Sequence, residues 1–180
     1  MRAYKFLAKG AVGPLSGFRW PAPQAGTAGA WVTVAGALEL CVNGSHVCRA
    51  GDLAHWLHDE LWEIEAEGDQ LEGLDCLVVR RARLVRRLHS WDDKGAATFA
   101  EACAQHATDL ADLAPKDVAA AARGLLEDAF LTARTGWPAV SAYASALAVA
   151  KLGDPADQDV AYRRERAWQS AWIARVVIGA

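Results

Sequence analysis

The chain has 180 residues, with 19 Lys and Arg against 22 Asp and Glu for a formal net charge of −3. That balance argues against general attraction to nucleic acid or anionic membrane, and no apolar run approaches the roughly eighteen to twenty residues of a membrane-spanning helix. Met1-Arg2-Ala3-Tyr4-Lys5 is not followed by the apolar core of a secretion signal, and the four cysteines, at 41, 48, 76 and 103, are spaced too irregularly for a disulfide framework. The sequence therefore reads as soluble and cytoplasmic, with reduced thiols.

The composition changes near residue 93. Residues 1–92 hold Gly-rich turns, short alternating apolar segments and five of the eight tryptophans, whereas 95–178 are dominated by Ala, Leu and long polar side chains at helical spacing. The expected fold class is α+β: a small mixed or antiparallel β-sheet module over 1–92, followed by an Ala-rich helical bundle over 93–180 packed against it.

Tyr4-Lys5-Phe6-Leu7 reads as a first short strand. Gly10, Gly13, Pro14 and Gly17 mark a loop that leads into Phe18-Arg19-Trp20-Pro21, where two rings and a guanidinium can either plug the core or line a pocket. Trp31-Val32-Thr33-Val34 has strand character, Leu38-Glu39-Leu40-Cys41 continues the sheet, and Asn43-Gly44 is a turn. Asp52 is placed to cap a helix that carries Leu53, Trp56, Leu57 and Leu61 on one stripe. Beyond it Trp62, Ile64 and Ala66 alternate with Glu63, Glu65 and Glu67, Gly68-Asp69 turns the chain, and Cys76 to Leu88 returns with Arg80, Arg81, Arg83, Arg86 and Arg87. The acidic and Arg-rich strands are expected to pair, because opposite charges on neighbouring strands select register. Helices follow at 95–111, 117–132, 139–152 and 158–178, broken at Pro115, at Gly136-Trp137-Pro138 and at Gly153-Asp154-Pro155.

Chemical capacity is concentrated in Leu40-Cys41-Val42-Asn43-Gly44-Ser45-His46-Val47-Cys48. Thiolate sulfur and neutral imidazole suit zinc, so Cys41, His46 and Cys48 form an alternative metal set, with His55 or His58 as a fourth ligand; the first expectation is that they are structural and hold no metal. Either thiol next to His46 could also become a nucleophile. His106 reads as an edge-of-core histidine on the stripe of Phe99, Cys103 and Leu110.

The order of that segment, Asp52, the acidic strand through Gly68 and the Arg-rich strand through Leu88 resembles a poorly characterised family of phage and bacterial proteins. Its members carry a Cys-x-x-Gly-x-His-x-Cys segment, a short helix and two strands. The resemblance covers about residues 30–90 and implies no activity. Gly44-Ser45-His46-Val47-Cys48 is also similar to the Gly-x-Tyr-Phe-Ala segment of ADP-ribosyltransferases. That likeness implies NAD as cofactor, with His46 in the place of the aromatic residue on the nicotinamide, Arg19 or Lys9 at the pyrophosphate, and Glu65 as catalytic carboxylate. The tail from Tyr162 to Trp172 resembles the last helix of small Ala-rich actinobacterial helical proteins, some assigned as toxin immunity proteins.

The leading expectation is a non-catalytic recognition or regulatory protein without cofactor, whose partner is a protein, a second copy included, or a small molecule. Arg19, Trp20, His46 and Trp56 are its candidate binding residues, and Trp56, Trp62, Trp168 and Trp172 its candidate interface anchors. The enzyme alternative places a pocket between Phe18-Arg19-Trp20 and the Cys41 to Cys48 turn, with His46, Glu65 and Cys48 as candidate catalytic residues.

Overall fold

The computed structural model describes residues 1–179, and the chain divides into two compact units, Met1–Asp92 and Asp93–Ala180. The first is an antiparallel sheet and the second is helical, so the fold is α+β.

The sheet contains β1 (Arg2–Leu7), β2 (Val32–Thr33), β3 (Ser45–Val47), β4 (Glu60–Glu72) and β5 (Leu77–Arg87). β4 lies between β1 and β5, and the far side of β5 pairs with β3 and with β2. Past the end of β3, Tyr4 N–H donates to Cys48 O at 2.9 Å and Cys48 N–H to Tyr4 O at 2.8 Å. These two bonds return the order β1, β4, β5, β3 to its starting strand and protect what would otherwise be two free edges. Strand alternation turns Ala3, Leu7, Val47, Trp62, Ile64 and Leu84 into one buried core. Phe6, on the opposite face of β1, meets Trp91 edge-on with centroids 5.1 Å apart.

Four local expectations for this unit are corrected. The helix placed over Leu53 to Leu61 is a 3-10 turn at Ala50–His55, and Leu61 belongs to β4, where it lies opposite Phe6. Its spacing suits a helix, but the antiparallel partners offered by β1 pair the backbone from Glu60 onward. Asp52 caps no α-helix; its carboxylate accepts from Arg49 Nε at 2.5 Å, while Arg49 also reaches Glu72 and the carbonyls of Gly73 and Leu74. Gly68-Asp69 is an irregularity inside β4, since pairing resumes with Gln70 opposite Val79 and the chain reverses at 73–76. Gly68 takes a φ of +80°, which glycine adopts without steric cost. Finally, Leu38 to Cys41 forms no strand; the segment is a turn with a single bridge from Glu39 to Asn43.

The helical unit comprises α1 (Asp93–Asp112), α2 (Lys116–Arg134), α3 (Pro138–Leu152) and α4 (Gln158–Ile173), with a π-helical turn at Ala174–Ile178. α3 packs on each of the other three and buries Ala142, Ala144, Ala146, Ala148 and Ala150 together with Ser141 and Ser145. Small side chains on nearly every face let three neighbours approach one helix, which also explains why α3 is not amphipathic. The Ser141 hydroxyl lies 2.9 Å from Ala129 O of α2, and Ser145 donates to Ser141 O at 2.8 Å, so neither buried hydroxyl is left without an acceptor.

Candidate functional site

His46 sits at the centre of β3, and its ring turns toward the 38–44 turn, where Nε2 accepts the Cys41 N–H at 2.9 Å. Burial first, and the Lys5 ammonium second, lower its pKa, while a hydrogen bond to the Gly44 backbone opposes them. The neutral ring is the form whose Nε2 lone pair can accept. Cys41 adopts a left-handed φ of +62°, a costly conformation for a side chain with a Cβ, and the bond to His46 helps hold it there. His46 therefore works as a staple for its own turn.

Cys48 is 2% exposed and its thiol donates to Tyr4 O at 3.2 Å. Burial, only partly offset by Lys5, pushes that thiol up to about 12, and burial also raises Cys76. A thiol so poorly ionised at neutral pH is a weak nucleophile. Cys41 meets His46 through its backbone amide rather than its sulfur. Among the described residues no group of three or more His, Cys, Asp or Glu is placed to hold a metal ion.

Lys5, which the sequence reading passed over, is brought into this cluster by β-sheet register. It lies opposite Trp62 in β4, on the face of β1 that carries Ala3 and Leu7 into the core. Its ammonium donates to the His46 carbonyl and stands 5.3 Å from the centroid of the Trp20 ring. Burial lowers its pKa to about 8, against smaller opposing effects from Cys48 and Cys76. The sequence signal was present in a polar residue at an inward position of an alternating strand, but it needed the register to be read.

Trp20 is 5% exposed and belongs to the core, with Phe18 edge-on at 5.7 Å. Its position depends on Glu60. That buried carboxylate accepts from Gly10 N–H, Ala11 N–H and Trp62 Nε1, all at 3.0 Å, and Ala11 O in turn accepts from Trp20 N–H at 2.9 Å. Burial opposes ionisation of Glu60, yet the Gly10, Trp62 and Ala11 hydrogen bonds and Arg87 together hold its carboxyl below the usual range. Arg19 is exposed and reaches Gly10 O at 3.3 Å. Trp56 is half-buried, its indole N–H donating to Asp75 O at 2.7 Å.

Glu65 pairs with Arg83 at 2.6 Å, Glu63 with Arg86 at 2.7 Å and with Arg2 at 2.9 Å, and Glu67 with Arg81. Trp31 is flanked by two of these guanidiniums, at 4.4 Å from Arg81 and 4.5 Å from Arg83. Alternation and register account for the whole ladder. An open depression of about 510 Å³ lies at the β4 irregularity, floored by Ala66 and Val79 and rimmed by Glu67, Asp69 and Gln70; it includes neither His46 nor Glu65.

In the helical unit a buried polar network joins α1, α3 and α4. His106 Nδ1 lies 3.0 Å from Glu165 Oε2 and its ring stacks on Trp168 with centroids 3.8 Å apart. Gln169 donates to Ala142 O at 2.9 Å and accepts from Arg166 at 2.8 Å. Burial raises the pKa of Glu165, with His106 acting in the opposite sense, and the thiol of Cys103 is likewise raised by burial. Of the proposed anchors, Trp62 is buried, while Trp168 and Trp172 are half-buried against His106 and Phe99. Exposed apolar side chains stand elsewhere: Trp137, at the N-cap of α3, and Val140 and Tyr143 within it are 63%, 45% and 51% exposed at three-residue steps, and Phe18 of the sheet unit is 45% exposed. Tyr143 meets Tyr162 of α4 edge-on, with centroids 6.2 Å apart. No family model, curated protein or solved structure matches the chain.

Proposed function

We propose that the chain is a non-catalytic recognition protein that docks a protein partner on the Trp137, Val140 and Tyr143 face of its helical unit. The observation that carries this reading is a contrast in how reactive and apolar groups are used. His46, Cys48 and Glu65, the groups with catalytic capacity, are each engaged by a neighbour that builds the sheet unit. Trp137 and Tyr143, by contrast, keep half or more of their surface in water. Large rings held on a helix lose little conformational entropy on binding and dominate the energetics of protein interfaces. An NAD-dependent reading asks more of Glu65, whose carboxylate would have to leave Arg83 before it could act on a ribose.

The test is quantitative affinity capture from the native cell with wild type and with the double variant Trp137→Ser, Tyr143→Ser, whose exposed side chains can change without disturbing the core. At least one protein should be retained by wild type and reduced at least about tenfold by the variant, which corresponds to about 1.4 kcal/mol of lost affinity. Identical capture by both proteins, or substrate turnover by the purified chain that disappears in Glu65→Gln, would contradict the reading.

A further inference from the structure

Lys5 is the one lysine that the strand register turns into the sheet core, and its surroundings fit a reacting amine better than a structural cation. An ammonium has three N–H donors, yet among the described residues its hydrogen-bond acceptor is the His46 backbone carbonyl and no carboxylate lies within 4.0 Å. The nearby thiols of Cys48 and Cys76 are kept protonated by their own burial, so they provide no counter-charge. Removing an ammonium from water without a matching anion favours its neutral form. Lys5 nonetheless keeps part of its side chain in water, half-buried rather than sealed.

We propose that Lys5 is a covalent modification site at which the side-chain amine takes small aldehydes as an imine beside the Trp20 ring. The neutral nitrogen attacks the carbonyl carbon and forms the C–N bond. The carbonyl oxygen leaves as water with the two amine hydrogens, so no oxidant or reductant is required. The imine is a weaker base than the amine and can stay neutral where no anion is at hand; a proton that it takes up adds one N–H and a charge. The His46 carbonyl accepts the N–H, and the Trp20 face lies 5.3 Å from the nitrogen, within the range of a cation–π contact. With its pKa at about 8, roughly a quarter of the Lys5 amines are neutral near pH 7.5, against about one in a thousand for an ordinary lysine. Lower basicity makes each neutral amine a somewhat poorer nucleophile, but the gain in population is much the larger effect. The site belongs to the sheet unit and is independent of partner docking on the helical unit.

The test is brief reductive methylation of the full chain by isotopically labelled formaldehyde and cyanoborohydride near pH 7.5, with the rate at Lys5, Lys9, Lys94, Lys116 and Lys151 read by peptide mass spectrometry. Lys5 should react at least about tenfold faster than each of the other four, with a rate that climbs to a plateau above about pH 8, and the preference should vanish in urea, where all five amines share the same ordinary pKa. A smaller preference in the folded chain, or one that survives in urea, would overturn the proposal.

Discussion

Replacing Glu60 by alanine tests the link between the 8–13 loop and the core. In the native chain its carboxylate receives Gly10 N–H, Ala11 N–H and Trp62 Nε1 at 3.0 Å each, and Arg87 lies at 3.3 Å. The Ala11 amide and the Trp62 indole are buried, so truncation leaves two donors without water or acceptor, at about 1–3 kcal/mol each. Gly10 is reached by solvent and adds less. Arg87 loses its partner in a half-buried setting, so a total of about 3–5 kcal/mol follows, in the range found when one member of a buried ion pair is removed. Glu60→Gln should cost about 2 kcal/mol, because one amide oxygen remains an acceptor while the NH2 faces other donors. Urea unfolding at neutral pH measures both. Because the carboxyl is held below its ordinary 4.5, its contribution is fully present above that pH and is lost as pH falls through the lowered folded value. The alanine variant should therefore lose most relative to wild type above about pH 5, with the two curves converging in stronger acid. A loss under about 1 kcal/mol at neutral pH would refute the assignment of Glu60 as the anchor of this loop.

Lys5→Met should stabilise the fold. Lys5 is lowered from 10.5 to about 8, which represents about 3 kcal/mol, so the native contribution is present above 10.5 and lost as pH falls through 8; the gain of the variant should be largest below pH 8 and fade toward 10.5, by urea unfolding at several pH values. Glu65→Gln should change stability by under about 1 kcal/mol, because its pair with Arg83 is substantially exposed, while Glu65→Lys should cost about 1 kcal/mol more by placing like charges opposite one another; equal effects of the two would remove charge pairing as the cause. Deleting 158–180 removes the α4 residues Glu165, Gln169 and Ile173, strands His106 and uncovers Phe99 and Cys103, so the remaining helices should bind a hydrophobic dye and lose cooperative unfolding, and retention of a sharp transition would contradict this.

Much of the fold could be read from periodicity. Trp62, Ile64 and Ala66 alternate with three glutamates, and the Arg-rich partner strand mirrors them, because a half-buried antiparallel pair imposes a period of two. Pro115, Pro138 and Pro155 mark the helix starts for an equally local reason. Long-range partners decided the rest. Leu53 to Leu61 has helical spacing, but Leu61 is claimed by Phe6, fifty-five positions earlier in the chain. Gly68-Asp69 has turn chemistry, yet β4 continues because Gln70 to Glu72 still find partners on β5. The same reasoning applies to the sites. His46 was visible in sequence, whereas Lys5 became interesting only through its register with Trp62, and His106 through Glu165 on α4, three helices later.

Hydrogen–deuterium exchange on the chain with and without its captured protein partner tests the recognition reading most directly. The account predicts new protection at the amides flanking the exposed ring face, from Leu131 to Tyr143 and around Tyr162, with the strands unchanged. Protection concentrated at Cys41 to Cys48 and Glu60 to Glu67, with Trp137 and Tyr143 left as free to exchange as before, would contradict it.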